Sequence, residues 1–145
     1  MRTPSQTVGP FFAIGLCRRP ENELDKEGIE LRGRLLDGQG EPIPDGVVEL
    51  WDAAGRRWGR GGTDADGGFS FRVPRCAVHL EAYVFARGLL RHQRTRIYLR
   101  DDPADEVLAA LPAADRETLL ARAEDDRLLF DIRMQGERAT VFFEH

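Results

Sequence analysis

The sequence predicts an all-β protein: an antiparallel β-sandwich preceded by an extended N-terminal arm, with one or two short helices near residues 103–122. Three observations predict it. Apolar and polar residues alternate with the two-residue period of half-buried strands. Clusters of Asp and Gly separate these runs, as turns require. Helix-start chemistry is confined to one stretch after residue 101. Seven or so short strands punctuated in this way are the pattern of a sandwich.

Along the chain, residues 3–16 hold two prolines and two glycines, which disfavour a helix and favour an extended arm. That arm carries Phe11, Phe12, Ile14 and Leu16, so it should lie against an apolar surface. Residues 18–28 are polar and read as a linker, which divides the chain into an arm and linker (1–28) and a sandwich domain (29–145). Ile29, Leu31, Gly33 and Leu35 alternate with Glu30, Arg32 and Arg34 in a first strand. Val47–Trp51 is the next, between turns at 37–40 and 52–55. The 64–68 turn leads into Phe69–Val73, where Phe69, Phe71 and Val73 share a face. His79–Phe85 and Thr95–Leu99 follow as strands. Asp102 then reads as a helix N-cap, with Pro103 at the first helical position and Asp105 and Glu106 suited to a positive helix start. A second short helix is predicted over 115–122, with Leu119 and Leu120 inward. The chain closes with strands over 128–134 and 140–143, joined by a hairpin around Gly136.

The 145 residues, 41% hydrophobic and 32% charged, suit a single globular core. The net charge of -4 gives no general reason to bind nucleic acid. Of 21 basic residues only Lys26 is a lysine; the other 20 are arginines. Forked recognition of carboxylates is the functional reading of that bias, and codon usage is the plainer one. Cys17 and Cys76 stand far apart in no CxxC pattern, which supports neither a zinc site nor a disulfide framework. Residues 1–6 lack an apolar signal core, and no stretch approaches the ~20 apolar residues of a membrane span. A soluble cytoplasmic protein is expected.

Three segments carry a family resemblance. Thr3-Pro4-Ser5-Gln6-Thr7-Val8-Gly9-Pro10-Phe11-Phe12 resembles the N-terminal TPSQTxGPY/F signature of the intradiol ring-cleavage dioxygenases. Gly33-Arg34-Leu35-Leu36-Asp37-Gly38 through Val48-Glu49-Leu50-Trp51 is similar to a central stretch of that family, one also shared by prealbumin-like binding modules. Phe85-Ala86-Arg87-Gly88, Thr95–Leu99 and Phe130-Asp131-Ile132-Arg133-Met134-Gln135-Gly136-Glu137 resemble its α-type subunits in particular. The likeness implies a prealbumin-like sandwich and an enzyme that opens protocatechuate with O₂ between its hydroxylated carbons, giving 3-carboxy-cis,cis-muconate. It also implies a hetero-oligomer in which an iron-bearing β subunit holds Fe(III) through two tyrosines and two histidines, with none bound by the α-type chain.

The residues of this chain agree with that last implication. The family's first tyrosine falls near Gly55-Arg56-Arg57-Trp58 and its second within Val73–Val78, and neither segment has a tyrosine. His79 matches the first histidine, whereas Glu81 stands at the second. Tyr83 lies four residues past His79 on the same strand, roughly 13 Å away at ~3.3 Å per residue, while a metal ligand must approach to about 2 Å. Both tyrosines, Tyr83 and Tyr98, are therefore set aside as ligands. His79 and Glu81 are remnants of the metal site, and no metal is expected here.

The resemblance further implies that the active-site cleft lies at the α/β boundary. The positions carried over are Thr7, Gly9, Pro10 and Phe11 in the arm and Arg87 in the FARG segment. Thr7 would orient substrate with its hydroxyl, Gly9 would let backbone approach the ring, and Pro10 would stiffen the arm. Arg87 would attract the substrate carboxylate. Phe11 stands where the family often has tyrosine, and the segment between Trp58 and Thr63 is short, reading as a reduced loop. Two other readings compete. One is a stand-alone prealbumin-like binding module or degenerate paralogue without catalytic activity. The other is an Fe(II) site of His79, Glu81 and a second histidine, His92 or His145.

Overall fold

The computed structural model describes residues 3–144. Its strands, in chain order, are β1 (Ile29–Leu36), β2 (Val47–Asp52), β3 (Arg57–Gly62), β4 (Gly68–Val73), β5 (His79–Phe85), β6 (Gln93–Tyr98), β7 (Arg122–Glu124), β8 (Arg127–Leu129) and β9 (Ile132–Arg133). Short helices α1 (Phe12–Leu16), α2 (Glu106–Ala109) and α3 (Ala113–Glu117) complete the set. One sheet runs β4-β1-β8-β7, with β9 also on β1; the other runs β3-β2-β5-β6. The second sheet is antiparallel throughout, whereas β1 takes β4 antiparallel and β8 and β9 in parallel.

The alternation seen in the sequence builds the core between the sheets. Leu31 and Leu35 of β1, Phe69, Phe71 and Val73 of β4, and Leu128 and Ile132 meet Val48 and Leu50 of β2, Leu80, Ala82 and Val84 of β5, and Ile97 of β6. Each such side chain contributes about 1.5–3 kcal/mol by leaving water. A smaller cluster of Tyr98, Leu108 and Leu119 closes one end. Two glycines are fixed by their surroundings. Gly67 adopts φ +71°, and a Cβ there would crowd the Leu35 carbonyl. A Cβ on Gly33 would collide with the Phe130 carbonyl and the Phe69 ring.

Several local expectations are corrected. The arm is not extended throughout: Phe12–Leu16 winds into α1, closed by the Cys17 amide on the Ala13 carbonyl at 2.9 Å. Pro10 precedes that turn and so does not obstruct it. The Trp58–Gly62 segment is not a reduced loop but most of β3, paired with β2 from Asp52↔Arg57 to Val47↔Gly62. Its glycines hide a strand because Gly59 makes room for Leu24, which is buried. Residues 21–24 thereby lie along the sandwich, with bridges Glu21↔Arg60 and Glu23↔Arg72.

Asp102 does not cap a helix. Its carboxylate accepts the Ala104 amide in a tight turn, and Asp105 caps α2 by accepting the Leu108 amide at 2.9 Å. The second helix ends at Glu117, because Leu119–Ala121 instead hydrogen-bond along Tyr98 of β6. Leu119 is fully buried as expected, and Leu120 is half-buried. The strand expected over 128–134 breaks into β8 and β9, because the Asp131 carboxylate accepts the Arg34 amide. Residues 140–143 turn back at Gly136, yet only Phe143 joins a strand, as a bridge to Arg94.

Candidate functional site

β5 sends Leu80, Ala82 and Val84 into the core, which turns His79, Glu81, Tyr83 and Phe85 onto the outer face of the second sheet. Register then assigns their neighbours. Tyr98 lies opposite His79, Arg96 opposite Glu81, and Arg94 opposite Tyr83; on the other side Trp51 pairs Glu81 and Glu49 pairs Tyr83. Trp51 and Trp58 are cross-strand partners left 37% and 40% exposed, with the Arg60 guanidinium 4.9 Å from the Trp58 ring centre.

Glu81 is the centre of a charge network and only 9% exposed. Arg96 Nε donates to its Oε1 at 2.7 Å and Arg94 Nε to its Oε2 at 3.0 Å. His79 Nε2 stands 3.9 Å from Glu81 Oε1, and its Nδ1 3.8 Å from Asp105 Oδ2. The Tyr98 hydroxyl donates to Asp105 Oδ1 at 2.9 Å and accepts from Arg96 Nη1 at 3.3 Å. Burial works to raise the Asp105 carboxyl, but hydrogen bonds from the Leu108 amide and the Tyr98 hydroxyl, with the charges of Arg96 and His79, hold it below the usual carboxylate range. Burial likewise pushes the Tyr98 hydroxyl up, against the lowering influence of Arg96. Tyr98 is thus part of the His79 surroundings. Sequence reasoning set it aside because the β5–β6 register was not legible, although two strands with a short connection would have suggested the pairing.

The Fe(II) triad with His92 as its second histidine does not survive this geometry. His92 sits at the far end of β5, its ring 5.2 Å from Phe85 and 5.6 Å from Tyr83. Six residues of strand separate His79 from Phe85, roughly 20 Å at ~3.3 Å per residue. His145 lies outside the described residues. Among the described residues no group of three or more His, Cys, Asp or Glu side chains is arranged to hold a metal ion.

At that far end the arm meets the FARG segment through Val8. Val8, flanked by Thr7 and Gly9, lines a cavity of about 420 Å³ with Phe85, Ala86, Leu89, Leu90, Arg91 and His92, the segment that carries Arg87. Gly9 has φ +78° with open space around it, so backbone conformation rather than crowding favours glycine there. Pro10 is exposed, and the Phe11 side chain, 75% exposed, finds no cover on its own chain. Arg87 is 65% exposed and holds Asp45 at 3.2 Å. The structure therefore brings Val8 of the arm to the segment that carries Arg87 and leaves His79 and Glu81 at the opposite end of β5.

Comparison with known proteins defines the class. The chain superposes on the dioxygenase domain of a carbohydrate-binding fusion protein from Streptomyces sp. SirexAA-E with a TM-score of 0.59, at 22% identity, covering 92% of this chain and 98% of that one. Hydroxyquinol 1,2-dioxygenase from Pseudomonas putida DLL-E4 gives 0.57 at 21% identity over 93% of this chain and 67% of its own. The sandwich is the intradiol dioxygenase fold. No family model matches the chain. It is, however, 34% identical to the protocatechuate 3,4-dioxygenase alpha chain of Burkholderia cepacia over 99% of its length and 97% of the relative's, and 32% identical to that of Pseudomonas putida over 98% and 96%. The chain belongs to the family of protocatechuate 3,4-dioxygenase alpha chains.

That family is iron-dependent, and the residues here do not fit the ion. Where the resemblance puts metal ligands, Glu81 has both oxygens engaged by guanidinium groups. Arg94 and Arg96 thus place two positive charges where the ion would lie.

Proposed function

We propose that this chain is the non-iron-binding α-type subunit of a protocatechuate 3,4-dioxygenase. It works beside an iron-bearing β-type subunit that cleaves protocatechuate with O₂ to 3-carboxy-cis,cis-muconate. The near full-length likeness to two α chains carries this reading. The uncovered arm supports it: Phe11, Ile14 and Val8 remain exposed, at a cost in apolar hydration that a partner surface would remove.

In this reading Thr7, Gly9, Pro10 and Phe11, with Arg87, form one wall of a substrate pocket shared with the partner. Arg87 suits the task. Its guanidinium is 65% exposed and held by one contact to Asp45, which is itself only 23% exposed, so the outer face of the guanidinium is open to a substrate carboxylate. The iron supplies the oxidative chemistry on the β-type chain; this chain binds, orients and shields. Cys17 and Cys76 are both free thiols, consistent with a cytoplasmic setting.

The test is reconstitution. Alone, the chain should be colourless and inactive toward protocatechuate; mixed with an iron-loaded β-type chain, it should co-elute and the mixture should consume O₂. A well-formed, iron-loaded assembly that leaves protocatechuate intact, or a chain that stays a stable monomer beside every β-type partner, refutes the proposal.

A further inference from the structure

We propose that Arg96 is the resident cation of a four-residue donor pocket, and that its guanidinium closes this pocket to metal ions. The inference rests on the reading of the chain as the iron-free subunit and adds a second physical cause, occupation of the site, to the loss of ligands.

The donors are His79, Glu81, Tyr98 and Asp105: an imidazole, a phenol and two carboxylates, a set that suits iron, zinc or cobalt. Arg96 lies among the three oxygen donors. Its Nε is 2.7 Å from Glu81 Oε1, and its Nη1 is 3.3 Å from the Tyr98 hydroxyl and 3.9 Å from Asp105 Oδ2. His79 flanks the same two carboxylates at 3.9 and 3.8 Å. These separations suit a guanidinium, whereas a metal would need about 2.0–2.2 Å to each donor.

Each donor is also committed elsewhere. Arg94 takes the second oxygen of Glu81, and the Leu108 amide and the Tyr98 hydroxyl share Asp105 Oδ1. Two carboxylates face two guanidinium groups, so the pocket is neutral before any ion arrives. An incoming dication would add charge and leave a half-buried arginine without its partner, which is costly in a region shielded from water. Because arginine keeps its proton at every ordinary pH, no change of pH releases the lock.

Cobalt(II) uptake by the isolated full-length chain tests this, through its visible absorption and by metal analysis after desalting. The wild type and Arg96→Lys, which keeps a cation, should retain none. Arg96→Met should retain about one ion per chain, lose it again in Arg96→Met/His79→Ala, and show a cobalt-dependent rise in Tm that the wild type lacks. If Arg96→Met does not fold, Arg96→Gln keeps an amide donor toward Glu81 and is read in the same way. Stoichiometric cobalt in the wild type, or folded neutral variants that stay empty, would overturn the proposal. These readouts need no activity, so their failure leaves the reconstitution result untouched, and the converse also holds.

Discussion

Arg96 faces Glu81 across the antiparallel register of β5 and β6, and its Nε lies 2.7 Å from a carboxylate oxygen of that residue, which is only 9% exposed. Removing that carboxylate strands Arg94 and Arg96 together. Glu81→Ala is expected to cost about 2–4 kcal/mol, somewhat below the value for a fully buried pair because both arginines keep some solvent. Urea unfolding measures it. A loss under ~0.5 kcal/mol, the range of an ordinary surface change, would show the network to be ornamental.

Asp105 makes stability depend on acid. Its folded-state carboxyl lies below the ordinary value, so its contribution is complete above a pH of about 3.9 and falls away as pH drops through the lower folded value. Asp105→Asn keeps a capping acceptor for the Leu108 amide but loses the charge. The variant should unfold at lower urea near neutral pH and show a shallower decline between pH 5 and pH 2. Parallel curves for the two proteins would refute the linkage.

Gly33, part of the motif that suggested the family, is required by packing. A methyl group at this position meets the Phe130 carbonyl and the Phe69 ring. Gly33→Ala should lose about 1–3 kcal/mol or more by overpacking, although alanine improves most exposed positions. Thermal unfolding of the isolated chain decides the matter.

Arg87→Ala separates binding from folding. The side chain is mostly in water although Asp45 is only 23% exposed, so stability of the isolated chain should fall by no more than about 1 kcal/mol. In the reconstituted enzyme KM for protocatechuate should rise about tenfold or more, with kcat little changed, as expected for a lost charge-assisted contact. An unchanged KM would remove Arg87 from the pocket.

The two thiols should differ in reactivity. Cys76 is exposed, whereas Cys17 is partly covered and burial pushes its thiol up, so fewer thiolates form there. Iodoacetamide at pH 8, followed by peptide mapping, should label Cys76 well before Cys17.

The strands with clean alternation were legible residue by residue: β1, β2, β4 and β5 follow from side chains that declare a face. β3 was not legible, because its three glycines carry no face and its pairing depends on Leu24, far away in sequence. The α2 cap moved from Asp102 to Asp105 for a similar reason. Both aspartates are competent caps, and only Tyr98 and Arg96, brought in by β6, favour the second. At the site, His79 and Glu81 were singled out by the family resemblance. That Arg94, Arg96 and Tyr98 would converge on them was not legible, since it depends on register between strands.

Nearly every outer strand ends against irregular chain: Glu21 bridges β3, Glu23 bridges β4, and Leu120 and Phe143 bridge β6. Open strand edges invite stacking with any passing sheet. Each of these bridges occupies part of an edge that a foreign strand would need, and removing Phe143 would free the Arg94 carbonyl on β6 for such pairing.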